Sequence, residues 1–187
     1  MRLTRRRILE LARAFDRTTA PRSRAAEGAL KARLRRRAAR GASYLTRAEL
    51  VWLGEWKAPR IRPRIARNTV AGVRGLTGAA LATRDEARRL GLLIGLSGVG
   101  VPVASVILHF ADSSRYPVYD VRVLTALRRL GIRRRFPPTP AGWVAYVDCL
   151  QVLARRHRVS LRTLDKALWL AGAPLRRAPA RAILGSR

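Results

Sequence analysis

Residues 90–111 read LGLLIGLSGVGVPVASVILHFA, an apolar run whose only ionisable side chain is His109 and whose middle is interrupted by Gly98-Val99-Gly100. A stretch of this length is sufficient to span a bilayer. Four glycines and one proline nevertheless make it a poor continuous helix, because glycine costs about 1 kcal/mol and an interior proline about 3 kcal/mol. We therefore expect two apolar helices folded back on each other around a glycine turn. A membrane span and a buried core hairpin with no function of its own are the two alternatives.

Helix start and stop signals support this division of the run. Pro102 fits the first turn of the second helix, where its missing amide hydrogen has no intrahelical partner to lose. The capping box Thr83-Arg84-Asp85-Glu86 predicts the start of the first helix. Another capping box, Thr46-Arg47-Ala48-Glu49, opens an earlier helix that should end near Trp56-Lys57-Ala58-Pro59, because proline restricts the residue before it.

The rest of the chain also has helical periodicity. Asp120 stands where an N-cap residue would precede a helix over residues 121–130, and Thr139-Pro140 begins another. Leucines 161, 164 and 168 form the apolar stripe of the last helix. Because no convincing alternating strand pattern is present, we predict an all-α fold of about eight to ten short helices.

The charge of the chain predicts a polyanionic partner. The 187 residues include 40 basic and 11 acidic side chains, for a formal net charge of +29, far more than solubility requires. Only Lys31, Lys57 and Lys166 are lysines, so the basic charge is almost entirely arginine, whose planar fork contacts phosphate. Charge alone does not separate DNA from RNA, and a basic RNA-binding protein of the translation apparatus is one alternative.

Composition along the chain predicts three regions. Residues 1–42 form a basic extension whose first helix presents Ile8, Leu11 and Phe15 on one face, followed by an arginine- and alanine-rich helix over residues 20–40 with little apolar surface. This extension is either ordered against nucleic acid or a solvated helical arm. Residues 43–172 form the main domain, and residues 173–187 form a basic tail.

Several classes of site are excluded by the residues available. Cys149 is the only cysteine, so neither a disulfide framework nor a four-cysteine zinc or iron–sulfur site can form within the chain. The basic N-terminal sequence lacks a secretory apolar region, and no P-loop or metal-ligand spacing is visible. We expect a cytoplasmic, nucleoid-associated protein without a cofactor.

Two motifs carry a resemblance to a known family. The segment Leu96-Ser97-Gly98-Val99-Gly100-Val101-Pro102-Val103-Ala104 resembles the L-x-G-V-G-x-x-x-A hairpin of the helix-hairpin-helix DNA glycosylase superfamily. Tyr116-Pro117-Val118-Tyr119-Asp120 resembles the apolar stretch that ends in the essential aspartate of that superfamily, and the eighteen residues from Pro102 to Asp120 are a separation of the family's kind. The resemblance implies a glycosylase-like fold around a central cleft over residues 43–172.

The resemblance implies that the hairpin grips duplex DNA that carries a damaged or mispaired base. Glycines without side chains let backbone amides at the positive end of a helix approach a phosphate, without reading sequence. The implied DNA-binding residues are Leu96, Ser97, Gly98, Val99, Gly100, Val101 and Arg122. In the superfamily the carbonyls of this turn can also hold a structural cation. We expect a monomer that has no contact with a membrane.

Asp120 is the implied catalytic residue, stabilising the positive charge on the sugar and orienting an attacking water. The alternative role for Asp120 is a helix N-cap. Bifunctional members of the family carry a nucleophilic lysine at the position of Pro102, so this chain resembles the monofunctional members, and strand cleavage by β-elimination is not expected. For Lys57 and Lys166 we expect a surface or phosphate-binding role.

Aromatic side chains are candidates for a pocket that receives a flipped base, because stacking offsets the cost of unstacking the base. We select Trp52, Trp56 and Tyr119 for this pocket and expect Trp143 to lie in the core. The main alternative to a glycosylase is a non-catalytic helix-hairpin-helix protein that binds or organises DNA, in which Asp120 only caps a helix.

Overall fold

The computed structural model describes residues 3–18 and 20–174. Within these ranges the chain forms ten α-helices, a short 3₁₀ turn at Pro59–Ile61 and no strand, which confirms the all-α prediction. The helices are α1 (Arg5–Thr18), α2 (Pro21–Ala39), α3 (Arg47–Lys57), α4 (Arg62–Ile65), α5 (Val70–Ala82), α6 (Glu86–Ile94), α7 (Val101–Ala111), α8 (Val121–Arg129), α9 (Pro140–Arg156) and α10 (Leu161–Ala171). Most of the predicted tail, from residue 175 onward, lies outside the described residues.

The apolar run forms the predicted hairpin, with α6 and α7 as its arms and residues 95–100 as its turn. Pro102 occupies the first turn of α7, as its chemistry requires. The start of α6 differs from the prediction, because Asp85 rather than Thr83 is the N-cap, its side chain accepting from the Arg88 amide at 3.0 Å. Thr83 instead ends α5.

α7 is the central helix of the molecule. Its residues from Val103 to Phe110 are all buried, and it packs against α2, α3 and α6. Both ring nitrogens of buried His109 have a hydrogen-bond partner. Nδ1 donates to the Tyr116 carbonyl at 2.8 Å, and Nε2 lies 3.2 Å from the Lys31 amine. Burial holds the pKa of His109 well below its usual value, so the ring is neutral and Nε2 accepts from Lys31.

The apolar run of residues 90–111 does not form one long helix. α6 has 9 residues and α7 has 11, and neither these nor the other helices in the described part of the chain are long and apolar enough to cross a membrane.

The two N-terminal helices differ from the predicted extension. α1 packs along α10, α2 packs against α7, and Ile8, Leu30 and Leu34 are buried in the same core as the rest of the molecule. The sequence of α2 obscures this docking, because its two buried leucines are the only large apolar residues in a helix otherwise made mostly of alanine and charged residues. Both helices are therefore part of the packed fold, and α1 also borders the site described below.

A buried ion pair fastens α2 to α3. Glu49, with 8% of its side chain exposed, accepts from Arg37 Nη1 at 2.8 Å and from Nη2 at 3.0 Å. The same carboxylate accepts from the Thr46 amide at 2.9 Å, while the Thr46 hydroxyl accepts from the Glu49 amide, which confirms the predicted capping box. Glu49 thus has two structural tasks, one local and one between helices.

Candidate functional site

Asp120 is the N-cap of α8, and both oxygens of its carboxylate have a partner. Oδ1 accepts from the Arg122 amide at 2.9 Å, which satisfies one of the free donors at the start of the helix. Oδ2 accepts from the Lys57 amine at 2.5 Å. The exposed fractions of the two side chains are 17% for Asp120 and 13% for Lys57, so this ion pair is largely shielded from water.

Lys57 therefore differs from the surface or phosphate-binding role that the sequence suggested. It is the last residue of α3, where the extended backbone of Ala58 and the ring of Pro59 end the helix. This termination leaves the lysine at the end of a packed helix, with its side chain directed at a residue that lies 63 positions away in the chain.

The Lys57–Asp120 pair lies in a cleft of about 310 Å³ between α1, α3, α8 and α10. The cleft is lined by Phe15, Thr18, Trp56, Lys57, Val118, Asp120, Arg162, Asp165, Lys166 and Trp169. Its walls combine aromatic rings with charged groups of both signs. This mixture is characteristic of ligand sites, where a few polar groups orient a ligand against apolar walls.

A second carboxylate, that of Asp165, lies in the same cleft and is almost completely buried. Burial raises its pKa to about 6, although neighbouring Arg162 favours the charged form. Oδ2 accepts from Arg162 at 2.9 Å, and Oδ1 accepts from the Val118 amide at 3.3 Å. Asp165 thereby attaches α10 to the segment that leads into Asp120.

The aromatic candidates separate into one that lines the cleft and two that do not. Trp56 lines the cleft, and its indole nitrogen donates to Glu27 at 3.0 Å. Trp52 packs edge-on against Phe110, with ring centroids 5.7 Å apart, away from the cleft lining. Tyr119 is buried against Tyr146, and its hydroxyl donates to the Phe136 carbonyl at 2.5 Å. The expectation for Trp52 and Tyr119 is therefore corrected, because both rings belong to the core packing.

The hairpin is joined to the cleft through Ser105, in the second turn of α7. Its hydroxyl donates to the Pro102 carbonyl at 2.7 Å and accepts from the Tyr119 amide at 2.8 Å. The residue before Asp120 is thus bonded directly to the start of the hairpin's second arm. The two motifs that the sequence singled out belong to one local assembly.

The two hairpin glycines have different surroundings. Gly98 has a φ of +77°, and a Cβ there would lie 2.9 Å from Ile65 Cγ1 and 3.0 Å from Arg64 Cβ. Gly98 is therefore required by the turn and by its packing on α4. Gly100 is exposed, and among the described residues a Cβ there would have only the Pro102 ring, at 3.7 Å, within contact range. Gly100 is the position where open space adjoins the N-terminus of α7.

The remaining hairpin residues differ in whether their side chains are buried in the core or exposed to solvent. The side chains of Leu96, Val99 and Val101 are buried, so only their backbone is available to a ligand. Exposed Ser97 is held by Asn68, which accepts from the Ser97 amide at 2.8 Å and donates to its carbonyl at 2.9 Å. The guanidinium of Arg122 lies over the ring of Trp169, a residue of the cleft, at 4.0 Å.

Exposed arginines flank the hairpin. Arg64 adjoins Gly98, and Arg67 immediately precedes the asparagine that holds Ser97. Backbone amides at a helix start and nearby guanidinium groups form a surface suited to a phosphodiester backbone. A cation at the turn, which the family resemblance allows, would share its ligands with existing bonds, because the Leu96 and Ser97 carbonyls accept from Val99 and Asn68.

Sequence reasoning missed Asp165 and Trp169 as residues of the cleft. Asp165 had a detectable signal, since it falls on the same helical face as Leu161 and Leu168, where an acidic residue is out of place. Trp169 had no comparable signal, because its position in the cleft depends on how α10 packs against α1 and α8.

Comparisons with protein-family models, with curated proteins and with solved structures found no match to this chain.

Proposed function

We propose that the protein is a DNA N-glycosylase, which receives a flipped damaged or mispaired nucleotide in the cleft and hydrolyses its glycosidic bond with the assistance of Asp120. The observation that carries this proposal is the position of Asp120 in an aromatic-lined cleft, one residue from the bond that ties Tyr119 to the glycine hairpin. A carboxylate and a phosphate-binding hairpin are thereby joined in one rigid unit. Such coupling is what positioning a nucleotide for chemistry requires.

The chemistry follows from charge. Cleavage of the bond between sugar and base develops positive charge at C1′, which a carboxylate stabilises while it orients or deprotonates the attacking water. Opposite unit charges 4 Å apart gain roughly 4 kcal/mol at an effective dielectric constant of 20, a gross Coulomb figure. Trp56 lines the cleft and is the aromatic surface that we propose for the base, because Arg122 already covers one face of Trp169.

DNA binding is supported by the hairpin and by the overall charge. The Gly100 backbone and the exposed Arg64 and Arg67 offer contacts to phosphate that carry no sequence information. A net charge of +29 strengthens attraction to any nucleic acid. Specificity for a lesion would therefore come from the cleft rather than from the hairpin.

A second candidate, a non-catalytic DNA-binding protein, is favoured by the pairing of both Asp120 oxygens. One oxygen caps α8 and the other pairs with Lys57, so the carboxylate has a sufficient structural role without catalysis. The two functions predict the same dependence of DNA affinity on salt, since each phosphate contact releases counterions in either case. Only a test of base release separates them.

The experiment scores free base and abasic sites from duplexes that carry uracil, hypoxanthine, alkylated purines, 8-oxoguanine or mismatches. We expect release from at least one duplex, and Asp120→Asn should lower it by about 100-fold or more with DNA affinity retained. The matched control is Asp85→Asn, because Asp85 caps α6 as Asp120 caps α8. Asp85→Asn should leave both base release and DNA affinity unchanged.

Two results would overturn the catalytic proposal. Release by Asp120→Asn at the rate of the unsubstituted protein would remove Asp120 from the chemistry. Tight binding of every duplex without release of any base would favour the architectural role.

A further inference from the structure

A groove between the end of α8 and the segment that leads to α9 has no part in the proposed function. Its volume is about 690 Å³, and it shares no lining residue with the Asp120 cleft. Apolar side chains and arginines line it together. The lining residues are the apolar Leu124, Leu127, Ile132, Phe136 and Pro137, and the basic Arg128, Arg133, Arg134 and Arg135.

The groove results from the way in which α8 ends. Gly131 has a φ of +84°, which glycine adopts readily, and its amide donates to the Arg128 carbonyl at 3.0 Å. The Ile132 amide donates to the Leu127 carbonyl at 3.0 Å. These two bonds form a Schellman motif, which commonly brings together apolar side chains at the positions of Ile132 and Leu127. The reversal of the chain therefore places the next three arginines beside the end of α8.

The four arginines of the groove have no acidic partner. None of them forms an ion pair with an acidic side chain in the described part of the chain, whereas Arg162 of the cleft and buried Arg89 are both paired. All four are exposed. Like charges in one short segment repel one another, and an anionic partner relieves this repulsion. The groove therefore favours a ligand with negative charge.

The backbone of residues 133–135 is also available to a ligand. Among the described residues, no hydrogen bond uses an amide or a carbonyl of this segment. An extended peptide offers both donors and acceptors to such a backbone, whereas phosphate oxygens only accept. A polypeptide therefore matches the segment better than a phosphodiester backbone does.

The apolar lining provides a second distinction between a peptide and a nucleic acid. Its one aromatic residue, Phe136, is only 7% exposed and packs edge-on against Tyr146, so it offers a base little surface for stacking. Leu124 and Ile132 are partly exposed. They can therefore receive an aliphatic or aromatic side chain, whose burial is favourable.

We propose that the groove binds an acidic peptide segment of another protein, with apolar side chains of the peptide against Leu124 and Ile132 and its carboxylates on the arginines. This inference does not depend on the glycosylase function. Residues 175–187 of the chain itself are an unsuitable occupant, because they contain four arginines and no acidic residue. A second copy is equally unsuitable, since its net charge is also +29.

The test measures the fluorescence anisotropy of a labelled synthetic peptide in the presence of the full-length protein. The peptide carries phenylalanines among aspartates and is about eight residues long, enough to pass residues 133–137 when extended. Replacing its phenylalanines by serine keeps the charge but removes the apolar contacts, so the affinity should fall by about tenfold or more.

Arg135→Glu tests the location of the site. It should lower the affinity for the phenylalanine peptide by about tenfold or more, because it reverses a charge in the groove. The matched control is Arg36→Glu, which makes the same change in net charge at an exposed position of α2 outside the groove. This control should lower the affinity by about twofold or less.

Two results would overturn the proposal in favour of attraction by net charge. One is equal affinity for the phenylalanine and serine peptides, and the other is an equal loss of peptide affinity from the two variants. The comparison of peptides uses the unsubstituted protein, so it stays decisive even if Arg135→Glu folds poorly.

Binding of undamaged duplex DNA, measured in parallel, separates the peptide from a nucleic acid. We expect Arg135→Glu and Arg36→Glu to lower DNA affinity by similar factors. If Arg135→Glu lowers DNA affinity much more than Arg36→Glu does, while peptide affinity falls equally in both, the groove belongs to the nucleic-acid surface and the proposal is overturned.

Discussion

At the scale of single residues, Gly98 and Gly100 stand two positions apart and meet different constraints. Gly98→Ala should lower the free energy of unfolding by about 1–3 kcal/mol, because an L residue is strained at a φ of +77° and Ile65 must also yield. Gly100 has a φ of −93°, which any residue adopts, so Gly100→Ala should change stability by less than about 1 kcal/mol. Urea unfolding of both variants measures the difference, and equal losses would contradict the assignment.

Asp165 should make the stability of the protein depend on pH. The pKa of Asp165 in the folded protein, about 6, lies above the ordinary 3.8, so folding favours the protonated carboxyl. Its contribution to the free energy of unfolding is therefore fully present below pH 4 and is lost as the pH rises through 6. Relative to Asp165→Asn, which does not titrate, the unsubstituted protein should therefore lose on the order of 2–3 kcal/mol between pH 4 and pH 7. Unfolding curves of both proteins across this range provide the measurement. A constant difference would show that the carboxyl titrates normally.

At the scale of elements, the hairpin can be tested as a phosphate-binding unit. Gly100→Asp places a negative charge at the N-cap of α7, where aspartate is favourable for the helix but repels phosphate. DNA affinity should fall by about tenfold or more for every sequence, while stability is maintained. Binding titrations with unrelated duplexes measure this effect.

Val152→Asp is the matched control for the hairpin. Val152 is exposed on α9, next to Gln151, which bonds the Arg115 carbonyl beyond the far end of α7. Val152→Asp should weaken DNA binding much less than Gly100→Asp does. Equal losses of affinity from the two variants would mean that net charge, and not the hairpin, controls binding.

The junction of α2 and α3 depends on one buried carboxylate. Glu49→Ala should cost about 3–5 kcal/mol, because it leaves Arg37 without its partner and also removes the capping box of α3. Glu10→Ala is the control, since Glu10 pairs with Arg6 on the exposed face of α1 and its loss should change stability little. Thermal or urea unfolding compares the two, and a neutral Glu49→Ala would contradict a structural role for the pair.

At the scale of the whole molecule, the first two helices are part of the folded unit. Ile8→Ala and Leu30→Ala should each cost about 2–5 kcal/mol, because both side chains are completely or almost completely buried. For a solvated arm the same substitutions would cost almost nothing. Arg36→Ala, on the exposed face of α2, is the control and should stay within about 0.5 kcal/mol. Unfolding in the absence of nucleic acid makes the comparison direct.

The sequence was sufficient to predict features that depend on neighbouring residues. Thr46, Asp120 and Thr139 were predicted as helix starts because a capping side chain bonds an amide only two or three residues ahead. The prediction for Thr83 was wrong by two residues, since Asp85 offers an equally suitable cap within the same segment. The burial of Tyr119 was not predictable, because it depends on Tyr146 and Phe136 from other parts of the chain.

The sequence by itself determined the helical architecture, the hairpin and the position of Asp120 at a helix start, because these follow from periodicity, glycine and proline geometry, and capping. Only the tertiary structure decided what surrounds Asp120. Lys57 reaches it across 63 residues, and the Lys166–Asp16 pair beside the cleft joins positions 150 residues apart. Such contacts arise from the burial of apolar faces against one another, and residues brought together in this way carry no shared signal along the chain.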